Sequence, residues 1–202
     1  MTKIIAITGG IGSGKTTFSN HLKKLGFLVH ESDMVVSEIY NKPKKQFLSF
    51  IKEKISQDAV NQNKINKTEI TNVIFNNKTI KKLLERRIHK EVKSSREAFI
   101  KKYTKKKKKI IFVDIPLLFE NKIDKNFDLV ICIISSKKNR SKRVLKNKKF
   151  TKENLNKIFK AQTTDKERKK RSQIIINNNK TKKDFIFSVE KALKGLIKWE
   201  RL

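Results

Sequence analysis

Cysteine, proline and glycine are scarce in this chain: one, two and six in 202 residues. A single thiol excludes an internal disulfide framework and a multi-cysteine zinc site. Cys132 lies within Leu129-Val130-Ile131-Cys132-Ile133-Ile134, so it reads as a small buried residue rather than a nucleophile. No apolar run approaches the ~18 residues that a spanning helix needs. The apolar start, Ile4 to Ile7, is too short for a leader core. A cytoplasmic protein without a membrane partner is expected. Acidic residues are also few, 19 against 51 basic ones, for a net charge of +32. That excess raises nucleic acid as a partner. It is overwhelmingly lysine, however, spread along the chain beside abundant Asn and Ile, whereas base readout and stacking favour arginine and aromatics. The densest run, Lys105 to Lys109, reads as a solvated loop, and no specific nucleic-acid partner is expected.

Four of the six glycines are concentrated in Gly9-Gly10-Ile11-Gly12-Ser13-Gly14-Lys15-Thr16, a complete G-x-x-x-x-G-K-[ST] string followed by Thr17. Residues without side chains let successive N–H groups turn inward as an anion nest, and the next helix adds the positive end of its dipole. Lys15 supplies a charge for the outer phosphates, and the Thr16 hydroxyl is placed to ligate magnesium shared with a nucleotide. A glycine turn without ligand would lack flanking elements. Here Lys3 to Thr8 reads as a buried strand, and Phe18, Leu22 and Leu25 give a helix that Gly26 ends. ATP and magnesium are the expected cofactors.

Five apolar segments read as parallel strands: Ile4 to Thr8, Phe27 to His30, Ile110 to Asp114, Leu129 to Ile134 and Gln173 to Ile176. The expected fold is α/β: a P-loop NTPase-type parallel five-stranded sheet flanked by helices, with an inserted α-helical substrate subdomain and a helical lid. One domain spans 1–202, with its core in 1–33, 105–136 and 173–202. The insertion, 34–104, carries a helical pattern throughout (Phe47, Phe50, Ile51; Ile70, Val73, Ile74; Leu83, Leu84, Ile88). The lid, 137–172, reads as a charged helical pair. In the last helix Phe185, Val189, Leu193, Leu196 and Ile197 share one face, with Trp199 as a packing anchor.

Ligands of open parallel sheets bind beyond the carboxyl ends of the strands. Glu31-Ser32-Asp33 follows the second strand; Asp33 there could accept a proton from an attacking hydroxyl, and a helix cap by Ser32 or Asp33 reads the same way. Asp114 ends the third strand, where a carboxylate holds magnesium through water or merely caps the strand. Cations for the developing phosphate charge are sought in Arg140, Arg143 and Arg168.

Asn121-Lys122-Ile123-Asp124 matches the guanine-reading N-K-x-D pattern. A GTPase also needs D-x-x-G, and after Gly14 only Gly26 and Gly195 remain, preceded at three residues by Lys23 and Ala192. The match reads as coincidence. Another small-molecule kinase, for a nucleoside, nucleotide or shikimate-like acceptor, shares the loop, sheet and lid. A basic RNA-binding module is the reading from a different class.

Together these stretches resemble the dephospho-coenzyme A kinase family nearly end to end. The resemblance rests on the Gly9 to Thr16 loop, on Glu31-Ser32-Asp33, on Leu84 to Val92 around His89, on Asp114-Ile115-Pro116-Leu117-Leu118-Phe119-Glu120, on Ala161-Gln162 and on Ile176 to Asn178. It implies ATP-dependent phosphorylation of the ribose 3′-hydroxyl of dephospho-coenzyme A by a monomer or small homo-oligomer. Asp33 takes the base position, and Lys15 and Thr16 the ATP and magnesium roles. His89, Leu117, Leu118 and Glu120 belong to the acceptor side, and Arg143 matches a lid arginine that reaches the phosphates. Departures are Glu31 for an aspartate, Lys90 for a proline, Asn147 for a second lid arginine, with Lys146 or Lys148 as a substitute, and Ser172-Gln173 for Ala-Asp.

Overall fold

A computed structural model describes residues 1–146 and 150–199, of which 197–199 as main chain only. Asn147, Lys148 and the side chains of Ile197 and Trp199 lie outside the described residues. In chain order the elements are β1 (Lys3–Thr8), α1 (Lys15–Lys24), β2 (Val29–Glu31), α2 (Ser32–Asn41), α3 (Lys45–Lys54), β3 (Val60–Asn61), β4 (Lys64–Ile65), α4 (Lys67–Asn76) and α5 (Lys78–Lys105). There follow β5 (Ile110–Asp114), β6 (Leu129–Ile134), α6 (Lys137–Lys146), α7 (Lys152–Ala161), α8 (Asp165–Lys170), β7 (Ile174–Asn177) and α9 (Lys182–Trp199). They form two compact units, residues 1–30 with 102 onward, and residues 31–101.

The first unit is built on the expected five-stranded parallel sheet, in the order β2-β5-β1-β6-β7. β1 is central, with Ile7 in register with Asp114 of β5 and Ile131 of β6. Successive side chains of a strand point to opposite faces. Ile5, Ile7, Phe112, Ile131, Ile133 and Ile176 therefore pack in one cluster with Phe18 and Leu22 of α1 and with Phe185, Val189, Leu193 and Leu196 of α9. Their alternates Ala6, Ile111, Val113, Val130 and Cys132 are equally buried, as expected for parallel strands covered on both sides. Burying each large aliphatic or aromatic side chain contributes about 1.5–3 kcal/mol, so the strand that launches the glycine loop is firmly held at the centre of the sheet.

The second unit has its own core of Phe47, Leu48, Ile51, Ile55, Ala59, Val60, Ile70 and Leu84. It is not helical throughout. Val60 pairs antiparallel with Ile65, and Asn61 with Lys64, across a two-residue turn. Gln62 and Asn63 both have positive φ, 46° and 61°, the geometry whose twist suits a hairpin. Asn66 then caps α4, its side chain accepting from the N–H groups of Thr68 and Glu69 at 3.1 and 3.2 Å. The expected helical pair of 137–172 is three helices, because Thr164 starts α8 by accepting from the Glu167 N–H at 3.2 Å.

Candidate active site

The central strand ends at Thr8, and the glycine loop joins it to α1. Gly12 has φ +73°, and a Cβ there would stand 2.8 Å from both the Arg140 carbonyl oxygen and Val144 Cγ2. Conformation and space thus both demand glycine. Gly14 is the N-cap of α1 and offers no side chain to its first N–H groups; the first turn holds no acidic residue. The positive helix end is left to an external anion. Lys15 Nζ donates to the Gly9 carbonyl at 2.8 Å, which keeps the ammonium over the loop. Thr16 is exposed in the first turn of α1 and Thr17 is half-buried.

Asp114 closes β5 beside β1 and is 7% exposed. Its Oδ2 accepts from Ser19 Oγ at 3.4 Å, so one oxygen is tied to the back of α1. Thr8 Oγ1 lies 3.5 Å from the Pro116 carbonyl and links the exits of the two strands. After Pro116 the chain exposes Leu117 and buries Leu118 completely.

Helices α6 to α8 bring two guanidinium groups to the loop. A Cβ on Gly10 would meet Arg140 Nη1 and would lie 3.2 Å from Arg168 Nη1. Arg140 stands 4.9 Å over the Phe159 ring and 3.8 Å from the Asp165 carboxylate. Burial pulls its pKa down and Asp165 opposes that shift. Arg168 is 2% exposed, bonds Asp165 Oδ1 at 2.9 Å, and reaches Glu120 only at ion-pair distance, 3.6 Å. Glu120 Oε1 instead accepts the Thr163 N–H at 2.7 Å. The neighbouring Gln162 Oε1 accepts the Ile11 N–H at 3.1 Å, so two adjacent residues join the Pro116 to Glu120 stretch to the glycine loop.

Arg143 is placed differently from a side chain directed at phosphate. Nη1 donates to the Gly12 carbonyl at 3.2 Å, and Nη2 donates to the Asn178 carbonyl at 2.8 Å. Asp33 sits exposed in the first turn of α2, whose N-cap Glu31 makes no side-chain cap. His89 is exposed on α5. The N-K-x-D look-alike has a structural role: the Asp124 carboxylate is bound by Arg171, through Nε at 3.2 Å and through Nη2, while the guanidinium lies 4.7 Å over Phe119. That carboxylate is spent on a protein cation rather than offered to a base.

Sequence reasoning assigned no role to Asn178, Ser19 or Arg171. The rule that ligands gather beyond the strand ends, applied to β7 as it was to β2 and β5, leads directly to Asn178.

The profile of a family described as Dephospho-CoA kinase matches residues 3–184. The dephospho-CoA kinase of Fusobacterium nucleatum subsp. nucleatum is 34% identical over 191 residues, covering 93% of this chain and 95% of that protein. That of Buchnera aphidicola subsp. Schizaphis graminum is 36% identical over 187 residues, covering 89% and 85%. The solved dephospho-CoA kinase from Campylobacter jejuni superposes with a TM-score of 0.73 at 25% identity, covering 97% and 98%. Because the match runs from β1 into α9, taking in the loop, the insertion and the arginine-bearing helices alike, the chain belongs to the dephospho-CoA kinase family.

Proposed function

We propose that this chain carries out its family's reaction with Asp33 as proton acceptor, the Gly9 to Thr17 segment as ATP cradle, and Arg140 and Arg168 as the cations that meet the transferred phosphoryl group. The reaction is ATP-dependent phosphorylation of dephospho-CoA at the ribose 3′-hydroxyl, giving CoA and ADP, the last step of CoA biosynthesis. The observation that carries it is a complete phosphate loop at the carboxyl end of the central strand, within a chain aligned to the family over 3–184. We place the enzyme in the cytoplasm, where ATP is supplied; among the described residues no helix is long and apolar enough to cross a membrane.

Chemically, the 3′-oxygen attacks the γ-phosphorus in line, its proton passes to Asp33, and the bond from phosphorus to the bridging oxygen breaks to release ADP. Lys15 and the N–H groups of the loop balance the charge on the outer phosphates. Arg140 and Arg168, already desolvated against Gly10, need little reorganisation to meet charge that develops there. The Thr16 hydroxyl at the mouth of α1 and the acidic end of β5, Asp114, are a hard-oxygen donor pair that fits a magnesium ion, Asp114 through water. When bound, that ion neutralises and orients the outer phosphates.

On the acceptor side we assign Leu117, Glu120 and His89. Leu118 acts as the buried root that holds Leu117 outward. The helical unit contains a cavity of about 600 Å³ lined by Val35, Ile39, Phe47, Lys42, Lys44 and Ser95, among others. Its apolar residues and mixed polar lining, in which Glu38 and Glu91 offset Lys42 and Lys44, suit an amide-bearing chain. A coupled assay of ADP release with dephospho-CoA, adenosine, nucleoside monophosphates and shikimate tests the reading. Turnover is expected with dephospho-CoA, and equal or faster turnover on another acceptor overturns it.

A further inference from the structure

The outer side of the phosphate loop is gripped by side chains that no reading of the motif requires. Asn178 follows β7, is 7% exposed, and is fixed to the sheet by its N–H bond to the Ile134 carbonyl at 2.8 Å. Its Nδ2 donates to the Ser13 carbonyl at 2.7 Å. Arg143 adds Nη1 to the Gly12 carbonyl at 3.2 Å and, more distantly, to that of Ser13 at 3.5 Å. The same guanidinium is held in turn by the Asn178 carbonyl and Oδ1, at 2.8 and 3.3 Å, and by Ser135 Oγ at 3.2 Å. Arg143 and Asn178 therefore act on one peptide and on each other.

In a trans peptide the carbonyl and the following N–H point in opposite directions. Donors that hold the Ser13 carbonyl outward necessarily turn the Gly14 N–H the other way, into the nest. A second observation agrees: a Cβ on Gly14 would collide with Asn178 Nδ2, so the glycine is required there by the clamp itself as well as by its φ of +112°.

We infer that Asn178 and Arg143 form a carbonyl clamp that orients the Gly14 N–H of the phosphate loop, and that both are positioning residues rather than phosphate contacts. The inference rests on Gly9 to Thr16 being the nucleotide site. It assigns a task to Asn178 and moves Arg143 from the phosphate to the loop.

The test uses ADP as probe, with dissociation constants for wild type, N178A, R143A and the double variant, and the Gly14 amide resonance followed through each titration. Either single substitution weakens ADP by about tenfold, the worth of one strong hydrogen bond. The double variant is no weaker than the weaker single one, because both donors serve one peptide. ADP shifts the Gly14 amide in wild type and moves it less than half as far in N178A, while the KM for dephospho-CoA changes less than twofold. R143K, which keeps a cation but cannot bridge two carbonyls and Asn178, behaves like R143A and keeps the test decisive should N178A fold poorly. Multiplicative losses near a hundredfold, ADP binding by R143K close to wild type, or an undiminished Gly14 shift overturns the clamp. Wild type that fails to bind ADP sinks the nucleotide site instead.

Discussion

Arg168 is the largest fully buried side chain of the described residues, at 2% exposure, and a charge in that position must be compensated. Asp165 at 2.9 Å and Glu120 at 3.6 Å supply the compensation. Removing one member of a buried pair costs about 3–5 kcal/mol. Here Asp165 is 35% exposed and Glu120 18%, so water recovers part of the loss, and about 2 kcal/mol is expected for Arg168→Leu. For a chain of this size that lowers Tm by about 4–8 °C. Loss of one preorganised donor at the transferred group lowers kcat by about 10²–10³. Thermal scanning and coupled ADP release read the two effects separately. Adding Glu120→Gln to the leucine variant neutralises the carboxylate that Arg168 had paired, while Asp165 keeps Arg140 at 3.8 Å, and should restore part of the Tm but none of the kcat. A leucine variant within about 1 °C and about threefold of wild type would refute both the buried-pair account and the phosphate role.

Two further substitutions address the proton acceptor and the core. Asp33 is exposed, so Asp33→Asn should cost about 1 kcal/mol or less, leave ADP binding intact and lower turnover by about 10²–10⁴; near-normal turnover removes Asp33 from the base position. Burial raises the Cys132 thiol from 9.0 to about 11. The native state then keeps a proton that the unfolded chain releases, so stability is intact below the unfolded value and falls by up to about 3 kcal/mol as pH rises through that window. Urea midpoints measured at pH 8 and 11 should decline less in Cys132→Ala than in wild type, and equal declines would contradict the assigned burial.

The strands could be read from the sequence to within two residues because buried parallel strands are short apolar runs, and Ile110–Asp114 and Leu129–Ile134 fall where the runs do. The hairpin was not legible: Val60–Asn61 and Lys64–Ile65 are two residues each, too short for alternation to register, and only Asn61-Gln62-Asn63 carried a turn signal. α8 escaped because Asp165–Lys170 has no apolar face; its one buried residue is a charged one, Arg168. The clamp escaped for another reason. Its acceptors are main-chain carbonyls of Gly12 and Ser13, which have no residue-type signature, so Arg143 looked like any other lid cation until its partners were seen.

The same distinction explains where this glycine-poor chain keeps its glycines. α1 ends with bonds from the Gly26 N–H to the Lys23 carbonyl and from the Phe27 N–H to the Leu22 carbonyl, with Gly26 at φ +84°. α5 ends in the same motif, with the Lys107 N–H on Thr104, the Lys108 N–H on Tyr103, and Lys107 at φ +52°. A lysine serves where glycine is usual, at about 1–2 kcal/mol of strain, and Lys122 likewise adopts φ +54°. Nothing lies within 4 Å of a Cβ built on Gly26, so in both turns the demand is conformational and can be met at a modest cost. In the loop after β1 the demand is steric: Cβ atoms on Gly9, Gly10, Gly12 and Gly14 would meet, in turn, the Ile133 carbonyl, Arg140, the Arg140 carbonyl and Asn178. At Gly9 and Gly12 the obstacle is main chain that cannot swing aside, whereas at Gly10 and Gly14 it is the end of a side chain already engaged elsewhere. A composition rich in lysine and asparagine can therefore spread through the turns of this fold while the loop between β1 and α1 keeps its four glycines. The lysines of the 105–109 run are all exposed, whereas the buried cations at the loop, Arg140 and Arg168, are arginines. Only a guanidinium offers several fixed donors at once, so the arginines buried at the loop are separable from the lysines that merely cover the surface.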